Sequence, residues 1–327
     1  MQITSAVAPR IVSTRALVER ATRAPSSHNT QPWRFREESD RVVALRADRT
    51  RVLSINDPED RELTISCGAA LLHLRVAAAA VGLTTSVSIL PSIEDRDLLA
   101  RVSLAEGVVD PVDRTLARAI DTRRTERGRM HERPVPDALL RELESAAVRE
   151  GAWLHVVRAP RERDAIASLA AEGDRRLFAD REWRRELAVW LRSRRAGDGL
   201  TFVPAPVLPI ARIVIARVDL GAHVARADHH VATSAPTLAV LGTDRDDVPS
   251  WIAAGQALAR VLLRAALTGA QASFFNQPIQ VASLRPELGA AIGRTTFPQL
   301  VMRLGFPVRA SAPTPRRAVE SVLELSA

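Results

Sequence analysis

The run from Leu63 to Val81, interrupted by Ser66, His73 and Arg75, is apolar on nearly every face of a helix. A surface helix keeps one polar face, so this pattern predicts a helix enclosed on all sides. The interruptions argue against a membrane span. Gly82 stands where a left-handed cap would end the helix. Thr84 to Leu90 then alternates and is β-branched, which predicts a strand. Upstream, a helix suggested by Ser13 to Arg23 stops at Pro25, and Pro32 keeps Gln31 extended ahead of a strand at Trp33 to Arg36. Val42 to Ala47 reads as a second strand, and Asp48 to Asp60 as a polar connection.

The same unit returns 187 residues later. Gly255-Gln256-Ala257-Leu258 runs to Ala265-Ala266 and Gly269, as Gly68-Ala69-Ala70-Leu71 runs to Ala78-Ala79 and Gly82, and Ser86 falls on Ser273. Paired glycines bounding equal helix lengths, each followed by a strand, indicate duplication. The fold class expected is therefore α+β, with two copies of one unit: residues 1–110 and residues 111–327. In the second half, a helix is expected from Ala138 to Arg149, then strands from Trp153, over Thr237 to Gly242 and over Pro298 to Gly305. Arg161 to Arg195 has helical periodicity with a dense charged face, interrupted near Ala179-Asp180, and reads as a helical insertion. Gly197 to Pro209 is rich in Gly and Pro. His223, His229 and His230 lack a metal-site spacing, so no metal is expected there and a solvated or loop role is.

Composition narrows the classes. A chain of 327 residues with 46% hydrophobic and 26% charged residues can bury a large core. All 46 basic residues are Arg, and the net charge is +8. These arginines are scattered among 38 acids and lack aromatic interleaving or a DNA-reading motif, so nucleic acid is not an expected partner. Without lysine, neither a Schiff base nor a Walker-type phosphate loop can operate. A lone Cys67 and no leader ahead of Ser13 point to a reducing cytoplasm, with no membrane partner.

Candidate chemistry concentrates between Pro25 and Pro32, where Ser26, Ser27, Asn29, Thr30 and Gln31 offer neutral donors and acceptors. Such groups can pair with a planar heterocycle such as a flavin pyrimidine edge. On composition alone an ordinary helix-to-strand turn fits equally well. The order A-P-S-S-x-N-x-Q-P-W-x-F over Ala24 to Phe35, however, resembles the hallmark loop of the flavin-dependent nitroreductase family. The resemblance implies that Pro25, Ser26, Ser27 and Asn29 contact FMN, and that Gln31 and Trp33 mainly position the loop.

Arg123, Thr125 and Arg127, followed by Pro134-Val135-Pro136 and a helix, are similar to the R-x-S-x-R opening of that family. Two guanidinium forks and a hydroxyl suit a terminal phosphate. The residues by themselves also allow a solvated charged linker. Further family features imply that Asn276, Gln277 and Pro278 pass near the reactive flavin edge, that Gly305-Phe306-Pro307 is the G-[YF]-P turn, and that Arg316 and Arg317 reach the phosphate. From end to end the chain resembles the tandem Acg-like branch, whose insertion folds over the flavin, which implies a lid-like segment around 197–234.

The second copy has Ala146 to Trp153 where its own loop would stand, and the first has Ser13-Thr14-Arg15 where R-x-S-x-R would stand. Each half keeps what the other lost. The nitroreductase-like reading is thus two fused copies forming an intrachain pseudo-dimer with one complete site. No catalytic side chain is required, because electron transfer is the cofactor's chemistry. The function expected is an FMN oxidoreductase moving electrons from NAD(P)H to a small acceptor. The alternative is a protein that sequesters FMN under a cover.

Overall fold

The computed structural model describes residues 13–325, and the stretch ahead of Ser13, where no leader is expected, lies outside them. The first elements are α1 (Thr14–Ala21), β1 (Trp33–Ser39), β2 (Val42–Ala47), α2 (Arg61–Ala80), β3 (Leu83–Ile89), β4 (Leu98–Glu106), α3 (Pro111–Leu116), α4 (Asp137–Val148) and β5 (Trp153–Val157). There follow α5 (Pro160–Ala179), α6 (Arg181–Trp190), α7 (Leu208–Arg217), α8 (Gly221–Thr233), β6 (Thr237–Thr243), α9 (Val248–Ala266), β7 (Gln271–Phe274), α10 (Gln277–Gln280), α11 (Arg285–Ala291), β8 (Phe297–Gly305) and β9 (Leu323–Glu324).

The strands form two sheets, ordered β3-β4-β2-β1-β9 and β5-β6-β8-β7. Without β9 the two orders are the same read from opposite ends, and every pairing among those eight strands is antiparallel. Local sequence explains the faces. Trp33 and Phe35 of β1 are buried while Arg34 and Arg36 are exposed, the period-two pattern of a strand with one wet face. Every residue of β6 is buried, as its unbroken apolar run requires of a strand covered on both sides.

In each unit a long helix links the second strand to the third, α2 in one and α9 in the other, and the two pack on each other. Their backbones meet at glycines. A Cβ on Gly68 would lie 2.3 Å from the Ile252 carbonyl oxygen, and one on Gly255 would lie 2.0 Å from the Ile65 carbonyl oxygen. The same spacing of 187 residues relates Gly68 to Gly255 and Ile65 to Ile252, so the contact is reciprocal, as across a two-fold axis. Enclosed by the first sheet, α1, α3 and α9, α2 is buried along nearly its whole length.

Several features depart from expectation. The strand β4 has buried Leu98, Leu99, Ala100, Val102 and Leu104; its alternation is blurred by the leading Leu-Leu-Ala. Leu116, Ala117, Ala119 and Ile120 join the first core together with Val319 and Val322, and β9 pairs in parallel with β1. Segments on the far side of the 110/111 division thus return to the first sheet, whose free edge they cover. The histidines of 219–234 sit on α8 and not in a loop, because Gly221, Ala225 and Ala232 give it a small apolar stripe facing the core. His223 and His230 are exposed, and no His, Cys, Asp and Glu group among the described residues is arranged to hold a metal.

Replacing Gly68 or Gly255 with Ala should each lower unfolding free energy by about 1–3 kcal/mol or more, since a methyl must displace backbone and not a flexible side chain. Urea unfolding measures this. Because the Gly255 Cβ position lies 2.8 Å from the Gly68 Cα, the double variant should also depart from additivity.

Candidate functional site

The loop after α1 has an unusual backbone. His28, Asn29 and Gln31 have φ of 47°, 56° and 51°, a left-handed conformation that non-glycine residues adopt at a cost of roughly 1–3 kcal/mol each when held away from their preferred regions. Hydrogen bonds from outside the loop hold this shape. The Asn29 amide donates to the carbonyls of Gly199 and Pro315 at 3.3 and 3.2 Å, and its oxygen accepts from Arg316 at 3.2 Å. Gln31 donates to the Gly197 carbonyl at 2.8 Å and accepts from the Arg317 amide at 2.9 Å. Ser26 Oγ accepts from the Gln31 amide at 3.0 Å.

Beside the loop lies a cavity of about 440 Å³, within the range of small-molecule sites. Both units line it: Pro25, Ser26, Ser27, Glu62 and Ser66 from the first, and Thr125, Arg127, Ser273 to Gln277 and Arg303 from the second. Phe178, Trp183, Leu200, Phe202, Val224 and Val231 add apolar walls from α5, α6, α8 and the segment between α6 and α7. His28 is neutral here, because burial, with Arg127 adding to it, lowers its imidazole to about 4. Arg127 has no ion pair or hydrogen bond among the described residues, and burial lowers its pKa.

A small second cavity is lined by Arg23, Arg123, Arg124 and Arg316 together with Asp121. Arg123 and Thr125 are two residues apart, and Arg316 donates to the carbonyl of Ala24, next to Pro25. Arg123 is 5% exposed, and its Nε and Nη1 have no partner among the described residues. Burial, then Arg124, lowers this guanidinium to about 10; burial, then Arg123, Arg23 and Arg124, lowers Arg316 to about 9. Asp121 lines the same cavity, pairs with Arg20 and lies 4.0 Å from Arg23, so the arginines outnumber the carboxylate that faces them.

Acids form part of the cavity wall. Glu62 accepts from Ser27 Oγ and from the Asn56 and Gln280 amides, while Trp183 Nε1 donates to Asn56 at 2.9 Å, which ties α6 to the start of α2. Burial raises Glu62, and burial together with Glu62 pushes its neighbour Asp57 up to about 7. On α5 and α8, Asp174 and Asp228 both accept from the single Gln277 amide nitrogen, at 3.0 and 2.9 Å. Burial, then Asp228, pushes Asp174 up to about 7.

Of the residues expected from sequence, Pro25, Ser26, Ser27, Thr125, Arg127, Asn276 and Gln277 line the larger cavity, and Arg123 and Arg316 the smaller. The rest line neither. Asn29 and Gln31 are spent on the bonds above. Arg317 is paired with Asp48 and donates to the Gln31 carbonyl, Pro278 is buried in α10, and Gly305 ends β8 against Met130, where a Cβ would come within 2.8 Å of its sulfur. Asn276 accepts from the Val301 amide, which fixes the turn after β7. Glu62, Asp174, Asp228 and Arg303 were not anticipated. Asp174 had a readable signal: it falls on the same apolar stripe of α5 as Ile166, Ala167, Ala170 and Phe178.

Two measurements follow. Asn29→Ala should lower stability by about 1–3 kcal/mol by denaturant unfolding, since its partners on two segments lose their bonds. Asp174 binds a proton in the folded state that the unfolded chain has released, so its contribution is fully present below about pH 4 and lost as pH rises to about 7. Asp174→Asn should therefore be more stable than the parent at pH 8, on the order of 1–3 kcal/mol, with the difference shrinking toward pH 4.

No protein-family model matches the chain. Among curated proteins, it is 34% identical over 327 residues to a Mycobacterium tuberculosis protein provisionally named NAD(P)H nitroreductase Rv3131, covering 97% of this chain and 92% of that one. It is 30% identical over 326 residues to another from the same organism, provisionally named NAD(P)H nitroreductase acg, covering 96% of each. Solved structures with looser overlap include the FMN and NADPH-dependent nitroreductase NfnB of a Sphigopyxis strain, at 18% identity and TM-score 0.45 over 65% of this chain and 99% of that one. Another is the FMN-dependent NfnB of Mycobacterium smegmatis in complex with NADPH, at 15% identity and TM-score 0.43 over 65% of this chain and 98% of that one.

Proposed function

The chain belongs to the nitroreductase family, in its Acg-like branch, and from that premise we propose that it binds one FMN per chain and passes electrons from NAD(P)H to a small electrophilic acceptor. The observation that carries the proposal is a cavity lined from both units, with a cluster of arginines bonded to the foot of its loop that outnumber their one carboxylate, Asp121. The same features support the intrachain pseudo-dimer reading, with the complete site between the units.

The residues present fit FMN. The unpartnered Arg123 nitrogens, Arg316, Arg23 and Arg124 suit a phosphate, which binds guanidinium forks strongly. Ser26, Ser27 and Thr125 offer hydroxyls, and Arg127 a desolvated cation, to the polar edge of a heterocycle. When bound, FMN supplies the electron transfer, so the protein's part is to bind, orient and exclude water. Arg127 would stabilise negative charge at the ring edge it faces, because burial keeps water from competing. The apolar side chains of α5, α6 and the segment beyond it would limit access, and Asn29 and Gln31 hold the loop that forms one wall.

Cofactor released by heat should chromatograph as FMN at one per chain, and NAD(P)H added anaerobically should bleach it. FAD, no flavin or two flavins per chain would each refute the proposal. Charge reversal at Arg123 or Arg127 should weaken binding by roughly ten- to a thousandfold. Arg15 and Arg149, which pair with Glu320 and Asp110 at the surface, should tolerate substitution; equal damage from Arg15 and Arg123 would remove the division of labour between the units.

A further inference from the structure

One cluster in the cavity is not used by the reading above. Asp174 is 2% exposed, lines the cavity, and has no partner on Oδ2. Gln277 spends its amide nitrogen on Asp174 and Asp228, and its own Oε1 is buried without a partner. Both unsatisfied atoms are acceptors. What they lack is a donor, and a carboxylate pair with one member buried and the other half-buried, bridged by a neutral amide, also lacks a positive charge.

The surrounding groups do not supply it. Among the described residues neither aspartate has an ion pair. Arg175, beside Asp174 on α5, is half-exposed and bound to Glu172. Arg303 on β8 lies near enough to Asp228 to favour its charged form, but its Nε donates to Ser273 and its Nη2 to the carbonyls of Glu126 and Gly128. Glu62, the other acid of this wall, already accepts three hydrogen bonds from side chains. Phe178 and Phe274 line the same cavity, and aromatic faces attract cations as well as flat apolar rings.

We propose that Asp174 and Asp228, bridged by Gln277, are specificity-determining residues that select a positively charged acceptor, an aromatic or heteroaromatic molecule bearing an ammonium or amidinium group. The inference deepens the proposed function, in which the acceptor meets FMN in this cavity, and rests on that reading for the ligand's role. The ammonium would donate to Asp174 Oδ2 and Gln277 Oε1, the two buried acceptors left open. The raised proton affinity of both aspartates is the same deficit seen from the carboxylate side, since burial without a counter-charge favours the neutral acid. A nitro or quinone oxygen offers only acceptors and cannot satisfy this cluster, so the charged substituent, not the reducible group, is what it recognises.

Three molecules of one shape test this: 4-nitrobenzylammonium, 4-nitrobenzyl alcohol and 4-nitrobenzoate, titrated calorimetrically into the purified protein with its cofactor at pH 8. The cation should bind roughly ten- to a hundredfold more tightly than the alcohol, and the benzoate most weakly. Asp174→Asn and Asp228→Asn, which keep shape and relieve burial of charge, should each erase most of that advantage while leaving the alcohol's affinity within about twofold. Equal binding of the three, no binding of the cation, or a preference that survives both substitutions overturns the proposal. Flavin content is measured on the same samples. FMN present without a cation preference defeats this inference alone; a cation preference lost in both variants of a protein that carries no flavin defeats the proposed function alone.

Discussion

Two helix backbones can approach as closely as α2 and α9 do only where neither carries a Cβ, and Gly68 and Gly255 meet that condition on both sides of the contact. The rest of the site depends on this crossing. Glu62, Ile65 and Ser66 at the start of α2 and Leu258 of α9 line the cavity. A wider helix spacing would separate the loop of the first unit from Thr125 and Arg127, which reach the cavity through the second, where Thr125 bridges to Ala272 and Glu126 bonds to it. Close-packed interiors transmit such a shift instead of absorbing it.

The two units use the reciprocal frame unequally. His73 of α2 and Arg260 of α9 occupy positions related by the same spacing as the glycines. Around His73 the nearby charges are Arg123, Arg316 and Arg20, and burial plus these cations keep the imidazole neutral. Arg260 instead pairs with Asp113 and Glu150, and Glu150 also takes Arg75. In one corner the cations outnumber their carboxylate, Asp121, which pairs with Arg20. The related corner already has its carboxylates built in. An anion binds where cations are in excess, and of these two corners it is the one around His73 that has the excess.

Much of the frame was legible in the sequence because it rests on local signals. The paired glycines, the enclosed helix, the strands β1, β2, β3, β6 and β8 and the break between α5 and α6 all follow from periodicity, and Gly82 takes its expected left-handed φ of 88°. The loop motif and the Arg123, Thr125, Arg127 set likewise pointed to residues that line cavities. The return of β9 to the first sheet was not legible, since a two-residue parallel pairing leaves no pattern. Nor were the acids. Glu62, Asp174 and Asp228 look like ordinary helix-surface charges until tertiary packing buries them, and only the placement of Asp174 among buried alanines hints otherwise.

Tertiary context also decides what Asn29 and Gln31 do. A motif that suggests side chains facing a ligand is here partly a set of side chains facing the protein: Asn29 binds the carbonyls of Gly199 and Pro315, and Gln31 those of Gly197 and its own loop. These bonds offset the left-handed backbone at the same residues, which the loop could not sustain alone. Arg51 adds to the same tie by donating to Thr30 and pairing with Asp198. The loop, the segment at 197–199 and the C-terminal stretch around 315–317 therefore share one set of hydrogen bonds. Loosening that segment would release the strain in the loop and deform the cavity wall. A cover that admits a ligand while keeping the wall intact has to yield farther along, between Leu200 and α8, where Phe202, Val224, Asp228 and Val231 border the cavity without bonds to the loop.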